Sequence, residues 1–468
     1  MLELNRRRRT RRWLLAPVGI LILLAVAYAL AAPRVVSVSP APEDSQVEAL
    51  SPVRITFNRP MSRPSVESRL ATVPSIAGSY SWEAQTLVFT PESGWPSGET
   101  IQVSLTAGFQ SRLFLPGLTG MSWQFGVSQV RVAYLLRQDG RSVLVAQPLT
   151  GEPAVPLLPP EIEVTEFALA ADGQLATFER QAGGPTYLSI RQRTGDEPQR
   201  LYQCPTESRC SGLAISSSGG QVAWELRPMT PASSGALVEG EPSVWAWLAG
   251  GQDGSSEQAA SVPSHSPHWL GQDSLAVYDP GQQALVVLTP SGQQPWPALA
   301  SIDNSLGEQA AWTPDGRFVV FPEVVLLSDE DAQSGFDFYS HLYRVELGSG
   351  LRTDLSSQAA GLVEDASPAF SPDGLWLAFA RKFLDAEAWT LGRQLWLMRA
   401  DGGAPQQLTE AAEVNHAQLA WSPDGRRLAF VRFDPSHPEQ LGSVWVYTLE
   451  TSQLNLMSEG AFGPQWMP

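Results

Sequence analysis

Residues 421–430 read WSPDGRRLAF, and the fold of most of the chain is inferred from this short stretch. It joins an aromatic residue, a tight turn and an alternating apolar strand. Proline fixes φ in the turn, the Asp424 side chain bonds nearby backbone amides, and Gly425 supplies a positive φ. The same pattern recurs at residues 370–379, FSPDGLWLAF, and at residues 312–321, WTPDGRFVVF. The pattern predicts a repeated strand–turn–strand unit.

Six such units recur at intervals of about 43 to 58 residues, the length of one four-stranded propeller blade. The three earlier units begin at Phe167, Leu213 and Trp269, and they lack the proline. Because the Asp-Gly pairs occupy the same place in each unit, we interpret them as structural turns and not as catalytic or calcium-binding carboxylates. These turn residues are Asp172, Gly173, Asp315, Gly316, Asp373, Gly374, Asp424 and Gly425.

Two unmatched segments predict a further blade. Residues 131–158 have the pattern of second, third and fourth strands without a first strand. Residues 463–468, GPQWMP, have the pattern of a first strand without a continuation. Joining the two segments gives seven blades closed by the C-terminal strand, an arrangement that removes the exposed sheet edge.

The repeated unit resembles the repeats of the TolB-type propeller, which also occur in the propeller domains of prolyl-oligopeptidase-like peptidases. The resemblance covers residues 129–468 and is strongest at residues 370–379 and 421–430. It implies a β-propeller with a surface for binding protein or peptide. Such a resemblance does not specify the ligand.

Residues 34–128 predict a separate β-sandwich. Short alternating segments such as VRITF (53–57), IQVSL (101–105) and SWQF (122–125) are separated by turn clusters. The order of motifs is SVSPAPEDSQV, ITFNRPM, LVFTPESGWPSGETIQVSL and SWQF. This order resembles the bacterial Ig-like domain of surface-layer and cell-envelope proteins, which implies a spacer or adhesive module without an active site.

The N-terminal segment predicts a membrane anchor. Residues 1–12 contain six arginines and one glutamate, and residues 13–32 form an apolar run of about twenty residues, long enough to span a bilayer as a helix. The basic flank places the N-terminus in the cytoplasm and the remainder outside it. Ala29 and Ala31 also resemble a cleavage site, which would make the protein secreted, but the length of the run favours a retained anchor. Its apolar core also argues against twin-arginine export at Arg11 and Arg12.

The predicted fold class is therefore all-β, with an N-terminal transmembrane helix, an Ig-like sandwich and a seven-bladed propeller. The formal net charge is −17, and without the first twelve residues, which contribute +5, the remainder carries about −22. Such an acidic body repels phosphate backbones, so we expect no nucleic-acid partner. The expected partners are the cytoplasmic membrane, through residues 13–32, and an envelope protein or peptide.

Few residues suggest metal chemistry. Cys204 and Cys210 are the only cysteines, and outside the cytoplasm such a close pair predicts a disulfide. His265, His268 and His416 lie near the starts of predicted innermost strands, and residues 329–331 and Asp337 form an acidic group. We interpret these as ordinary strand-end histidines and a solvated loop, because neither set has the ligand spacing of a zinc or calcium site. No metal or cofactor is expected.

The sequence predicts a binding module and not an enzyme. It contains no Gly-x-Ser-x-Gly elbow, and no segment after the predicted propeller is left for a hydrolase domain. The predicted innermost strands, such as ASPAF (366–370) and AQLAW (417–421), are small or apolar, whereas a channel active site needs converging polar groups. The alternative is a propeller lyase or hydrolase that acts in its channel.

Long loops between second and third strands predict the binding face. They span about 227–242, 322–340, 381–393 and 432–442, on the face opposite the Asp-Gly turns. Their aromatic and cationic residues suit contact with protein, or alternatively with glycan. The candidate contact residues are Phe336, Phe338, Tyr339, Arg381, Lys382 and Trp389. The alternative is that these loops are tolerated insertions at an exposed position.

Overall fold

A computed structural model gives the fold of two compact units. It describes residues 32–44, 47, 51–91, 95–96, 98–192, 195–232, 236–249, 256–261, 263–271, 274–291, 294–305, 310–326, 338–359, 361–385 and 387–467. Unit 1 ends at Gln129 and unit 2 begins at Val130. The described chain is all-β apart from one short helix, which confirms the predicted class.

Unit 1 is a sandwich of two antiparallel sheets. Its elements are β1 (Val35–Ser39), β2 (Val53–Phe57), α1 (Arg63–Glu67), β3 (Leu70–Val73), β4 (Gly78–Glu83), β5 (Thr86–Pro91), β6 (Thr100–Leu105) and β7 (Met121–Gly126). The strand orders are β1-β2-β5-β4 and β3-β6-β7. Alternate residues of β2 are buried between the sheets, with Val53, Ile55 and Phe57 facing the core. The aromatic rings of Trp95 and Phe125 pack edge to face in the same core.

Unit 2 consists of short antiparallel strands throughout. They are β8 (Arg131–Gln138), β9 (Arg141–Pro148), β10 (Val155–Pro156), β11 (Ile162–Leu169), β12 (Leu175–Gln181), β13 (Tyr187–Arg191), β14 (Gln199–Gln203), β15 (Ser208–Ile215), β16 (Gln221–Pro231), β17 (Leu237–Glu239), β18 (Ser243–Leu248), β19 (Ser256–Gln258), β20 (His265–Leu270), β21 (Ser274–Asp279), β22 (Ala284–Leu288), β23 (Ala298–Asp303), β24 (Ala311–Trp312), β25 (Phe318–Leu326), β26 (Phe338–Glu346), β27 (Arg352–Asp354), β28 (Val363–Phe370), β29 (Trp376–Phe383), β30 (Gln394–Arg399), β31 (Gln406–Gln407), β32 (Asn415–Trp421), β33 (Arg427–Phe433), β34 (Ser443–Thr448), β35 (Gln453–Glu459) and β36 (Ala461–Met467).

These strands form seven consecutive four-stranded units, which we call blades 1 to 7. Their strand orders are β36-β8-β9-β10, β11-β12-β13-β14, β15-β16-β18-β19, β20-β21-β22-β23, β24-β25-β26-β27, β28-β29-β30-β31 and β32-β33-β34-β35. The short strand β17 extends β16 of blade 3 into a hairpin. Blades 5 and 6 share one sheet through a single parallel pairing, Ser340 with Glu364. The first strands of most neighbouring blades contact one another, so they are the innermost strands.

Blade 1 combines strands from both ends of unit 2. β36 pairs antiparallel with β8, in a register that places Trp466 opposite Val132. The Trp466 indole also donates a hydrogen bond to the Ala420 carbonyl of blade 7, at 2.9 Å. The segment 463–468, which the sequence left unmatched, therefore supplies the first strand of blade 1 except for Pro468, which is not among the described residues.

Hydrophobic clusters join each blade to the next. Phe178 of blade 2 and Trp224 of blade 3 lie in one such cluster, and both are fully buried. A corresponding cluster joins blade 7 to blade 1 and includes Val431 and Val132. The alternating strand pattern explains this packing, because successive side chains point to the two faces of a blade and each face meets a neighbour.

The predicted N-terminal anchor falls on residues that the structure does not describe, with the exception of Ala32. Within the described ranges, the structure contains no helix with the length and apolar character needed to span a bilayer. The only described helix, α1, has five residues.

Candidate functional site

We use the name long-loop face for the side of unit 2 on which the second strands of blades 3, 5, 6 and 7 end. These strands are β16, β25, β29 and β33. In blade 6 the loop on this side runs from β29 to β30, and it contacts the links to both neighbouring blades. The Leu362 N–H, just before β28, donates to Asp385 Oδ2 at 2.8 Å. The Gly392 N–H donates to the carbonyl of Ala412, just before β32, at 2.8 Å. The blade 6 loop is therefore fixed in place on the same face as the links between blades.

Lys382 and Trp389 form a pair at this fixed loop. The Lys382 ammonium lies 5.1 Å from the centroid of the Trp389 ring, within the range of a cation–π interaction. Trp389 is 47% exposed, so much of its ring is accessible to a partner. The aromatic surface is thus presented in a defined orientation.

Arg381 does not belong to this exposed surface. Its side chain is 4% exposed, and its Nε and terminal nitrogen donate to the two carboxylate oxygens of Asp365 at 2.7 and 2.6 Å. β29 extends to Phe383, so Arg381 is a strand residue and not a loop residue. Because neighbouring strand residues point to opposite faces, Arg381 is buried while Lys382 reaches the surface. The expectation that Arg381 contacts a partner is corrected accordingly.

The other aromatic candidates lie in blade 5. Phe336 is outside the described residues, and Phe338 is the first residue of β26, paired with Leu326. Tyr339 is half-buried, with its ring edge-on to His341 at 4.8 Å between centroids. His341 Nδ1 lies 2.8 Å from a carboxylate oxygen of Asp354. Tyr339 therefore offers a partly accessible aromatic group on the same face as Trp389.

The Asp-Gly turns use their carboxylates internally. Asp424 Oδ1 accepts hydrogen bonds from the Ser422 hydroxyl and from the Arg426 N–H at 3.1 Å. Asp315 and Asp373 make the same two kinds of bond, and Asp172 accepts from a backbone N–H two residues further on. The hydroxyl of Thr313 holds the pKa of Asp315 below its usual value. The glycines that follow have φ between 67° and 85°; they are Gly173, Gly316, Gly374 and Gly425.

The histidines do not assemble into a metal site. His265 and His416 are buried, and Nδ1 of His416 lies 2.8 Å from the Arg393 carbonyl. Among the described residues, no group of three or more histidine, cysteine, aspartate or glutamate side chains is placed to hold a metal ion. The acidic residues 329–331 and Asp337 are outside the described residues. Cys204 and Cys210 form a disulfide between β14 and β15.

The innermost strands carry polar groups that sequence reasoning missed. Glu166 of β11 accepts the Leu213 N–H of the next blade at 2.7 Å, and Glu225 of the second strand β16 accepts the Ser266 N–H of the innermost strand β20 at 2.7 Å. Gln418 accepts the Gly463 N–H at 2.8 Å, from blade 7 to blade 1. These three bonds tie the inner bulges of blades 3, 4 and 1 to the preceding blade.

A spacing in the sequence marks these bulges. Five innermost strands contain a residue with positive φ three positions before an apolar residue at or next to the end of the strand. The pairs are Gly212 and Ile215, Ser266 and Trp269, Ser367 and Phe370, Gln418 and Trp421, and Gly463 and Trp466. The expectation that the innermost strands are only small or apolar is therefore wrong.

Glu166 and His268 are the titratable groups of most chemical interest on these strands. Burial raises the pKa of Glu166, and the hydrogen bond from the Leu213 N–H opposes the rise. The His268 side chain projects from the innermost strand β20 and has an exposed surface. Protein atoms surround it on the other sides, and this desolvation lowers its pKa to about 4. The His268 ring stacks on Trp312 at 6.4 Å. A neutral imidazole and a weakly acidic carboxyl are thus present on innermost strands of different blades.

A cavity of about 500 Å³ lies beside blade 2. Arg200 and Tyr187 line it, with the guanidinium carbon 4.2 Å from the ring centroid. Glu179 and Arg191 also line it and form a buried ion pair at 2.8 Å. Glu179 and Arg191 neutralise one another, so neither is available to bind an ion in this cavity.

The N-terminal unit matches a known family. Residues 30–126 match the bacterial Ig-like domain, which confirms the resemblance seen in the sequence. An uncharacterized protein of Agrobacterium fabrum is 26% identical over 164 residues, an alignment that covers 34% of this chain and 48% of that protein. The chain thus spans about half the length of this relative.

Solved structures similar to this chain include TolB and other β-propeller proteins. TolB from Acinetobacter baumannii gives a TM-score of 0.40 at 12% identity, covering 93% of this chain and 99% of that chain. A puromycin-hydrolyzing peptidase of Mycobacterium tuberculosis gives a TM-score of 0.45 at 12% identity, covering 89% and 57% respectively. The chain thus contains a bacterial Ig-like domain followed by seven four-stranded antiparallel units.

Proposed function

We propose that this protein is a membrane-anchored binding protein of the cell envelope. In this proposal residues 13–32 remain in the cytoplasmic membrane, the Ig-like domain acts as a spacer, and a closed seven-bladed propeller binds a protein or peptide outside the cytoplasm. The pairing of β36 with β8 and the apolar cluster between blades 7 and 1 support the closed ring.

The observation that carries the binding role is the Lys382–Trp389 pair. An exposed tryptophan held against a cation on a fixed loop has the properties of an interface hot spot, because little side-chain entropy is lost when a partner covers it. Tyr339 on the same face adds a second aromatic contact. The acidic character of the remaining body favours a partner that is neutral or basic.

The chain is suited to a selective cross-linking test. Lys382 is its only lysine, so an amine-directed photo-cross-linker modifies this side chain and the N-terminal amine alone. The labelled full chain is irradiated in envelope extract, and the Lys382→Arg variant measures the background from the N-terminal amine. Capture of one partner that depends on Lys382 is expected.

A pair of tryptophan variants tests where the partner binds. Trp389→Ala removes the exposed ring on the long-loop face, whereas Trp376→Ala removes a 39% exposed ring at the opposite end of β29. We expect loss of capture only for Trp389→Ala. Equal loss in both variants, or in neither, contradicts the proposed surface. A glycan array probed with residues 34–468 distinguishes a glycan ligand from a protein ligand.

A second candidate function is catalysis in the propeller channel, which the polar groups Glu166 and His268 favour. A raised carboxyl pKa and a neutral imidazole are properties of general acid–base groups. An enzyme of this kind loses turnover on model peptide or oligosaccharide substrates when Glu166→Gln and His268→Gln are introduced. A binding protein shows no turnover to lose, and its Lys382 cross-link is unchanged in both variants.

A further inference from the structure

The loop between β6 and β7 of unit 1 presents an unusual apolar tip. Leu113 and Phe114 are each 77% exposed, and Leu118 is 53% exposed. Phe114 also has φ of 60°, a conformation that bulky side chains rarely adopt and that concentrates at functional sites. Three large apolar side chains are therefore held in water at one place, with backbone strain at the middle of the tip.

The base of this loop is rigid. The Gly117 N–H donates to the Phe109 carbonyl at 2.7 Å, and the Phe114 N–H donates to the Ser111 carbonyl at 2.9 Å. The Ser111 hydroxyl accepts the Leu115 N–H at 3.2 Å. Phe109 and Ser111 are almost completely buried. The exposed side chains are thus fixed outward by the loop and do not fold back onto the unit.

The tip lies where the chain enters unit 1. Asn58 accepts the Arg34 N–H at 3.0 Å and donates to the Ala32 carbonyl at 3.5 Å. Two residues further on, the Pro60 carbonyl accepts the Arg112 N–H at 3.1 Å. The last residue of the apolar segment 13–32 and the base of the exposed tip are therefore both bonded to residues 58–60.

The chain leaves unit 1 at the other end. Leu105 pairs with Met121 beside the tip, whereas Thr100 pairs with Gly126 at the far end of the same two strands. A strand of this length spans about 17 Å. The tip and the incoming chain thus share one end of the unit, and the outgoing chain occupies the opposite end.

Basic side chains surround the tip in a chain that is acidic as a whole. Arg34, Arg63 and Arg112 are exposed at this end, although the net charge of the chain is −17. Glu67, the acidic residue of the adjacent helix, accepts the Trp82 indole N–H at 2.8 Å. An apolar tip with a basic rim is the composition that binds the interface of an anionic bilayer.

We propose that residues 111–118 form an interfacial loop, which inserts Leu113, Phe114 and Leu118 into the extracytoplasmic leaflet of the membrane that holds residues 13–32. This inference rests on the proposed function, because the anchor brings the loop to the bilayer. Insertion turns the tip end of unit 1 toward the membrane.

Fluorescence from the full chain in vesicles tests the interfacial loop. Phe114→Cys and Thr100→Cys are each labelled with an environment-sensitive fluorophore, since the native cysteines are joined in a disulfide. Both positions are exposed, and Thr100 is the matched control at the far end. In phosphatidylethanolamine–phosphatidylglycerol vesicles carrying nitroxide lipids, quenching at position 114 is expected to exceed that at position 100 by at least about two-fold. Alkaline-washed flotation of the same vesicles reports anchoring separately.

Each outcome decides between the two proposals. If the chain floats with the vesicles and position 114 is not quenched, the interfacial loop is rejected and the anchor stands. If the chain does not float, both the anchor and the loop are rejected. If position 114 is shielded from aqueous iodide but not quenched by nitroxide lipid, the tip contacts protein and the lipid assignment is overturned.

Discussion

The guanidinium of Arg381 and the carboxylate of Asp365 form a two-bond ion pair that is almost completely buried in blade 6. The Ser356 hydroxyl of blade 5 donates to the same carboxylate at 2.6 Å, and the Ser340 hydroxyl donates to the Asp365 carbonyl at 3.0 Å. The guanidinium carbon also lies 4.9 Å from the centroid of the Phe379 ring. The carboxylate thus accepts hydrogen bonds from both blades, so the pair joins blades 5 and 6 through polar contacts beside their apolar cluster.

Removing one member of this pair is predicted to destabilise the propeller. Arg381→Ala leaves the Asp365 carboxylate buried without its cation, and the expected loss in the free energy of unfolding is about 3–5 kcal/mol. Denaturant unfolding followed by tryptophan fluorescence measures the loss. Lys382→Ala, one residue further on at the surface, is the matched control and is expected to change stability by less than about 0.5 kcal/mol. Similar losses in the two variants would show that the buried pair is not the stabilising feature.

Arg381 and Lys382 also show what the sequence could and could not predict. Both belong to a stretch that the sequence placed in a loop, because no turn signal marks where β29 ends. The burial of Arg381 depends on Asp365, which lies sixteen residues earlier and becomes a neighbour only when β28 pairs with β29. Such a contact between strands has no local signature. The Asp-Gly turns, in contrast, were predictable, because their hydrogen bonds form within five residues.

The bulges of the innermost strands were only partly predictable from the sequence. Their positive φ recurs three residues before an apolar residue at or next to the end of the strand, so the repeat indicates the position. The residue types at that position are glycine, serine and glutamine, which share no side-chain chemistry. What they share is the backbone conformation, and composition alone does not reveal it.

The first strand of blade 1 is predicted to be required for stability. Trp466 is 7% exposed and bonds blade 7 through its indole, so Trp466→Ala is expected to cost about 3–5 kcal/mol in unfolding free energy. A chain ending at Gly460 leaves the edge of β8 unpaired and is expected to self-associate. Light scattering compares this truncation with the full chain, and Trp389→Ala is the control for loss of an exposed tryptophan. A truncation that stays monomeric and fully stable contradicts the pairing of β36 with β8.

The repeated turns are predicted to act through backbone conformation. Gly425 has φ of 67°, and an added Cβ would meet only Pro372 Cδ at 3.9 Å. The cost of Gly425→Ala therefore comes from φ alone and is expected to be about 1–2 kcal/mol. Gly348→Ala is the matched control, because that glycine has an ordinary φ and open space around it. Thermal unfolding with and without a calcium chelator completes the test, and a chelator-dependent shift would contradict a purely structural turn.

Stability is predicted to fall in mild acid because of His416. Burial lowers the pKa of His416 from 6.5 to about 4, with the Arg393 carbonyl opposing and the Arg432 charge assisting. The unfolded chain therefore binds a proton near pH 6.5, while the folded chain resists protonation until the pH approaches 4. The stabilisation is fully present above pH 6.5 and is lost as the pH falls through this window. The expected loss between about pH 7 and pH 5 is on the order of 2 kcal/mol.

A glutamine at this position separates His416 from other groups. His416→Gln retains an amide that can donate to the Arg393 carbonyl but cannot take up a proton in this range. The pKa of His268 is also about 4 and that of Glu166 is raised, so the variant is expected to lose the share of the pH dependence that His416 contributes and to keep the rest. Urea unfolding at both pH values measures the difference for the native chain and the variant. The neutral His416 is not required for stability if the two chains lose the same free energy on acidification, and His437→Gln, which alters an exposed histidine, provides the reference for a surface change.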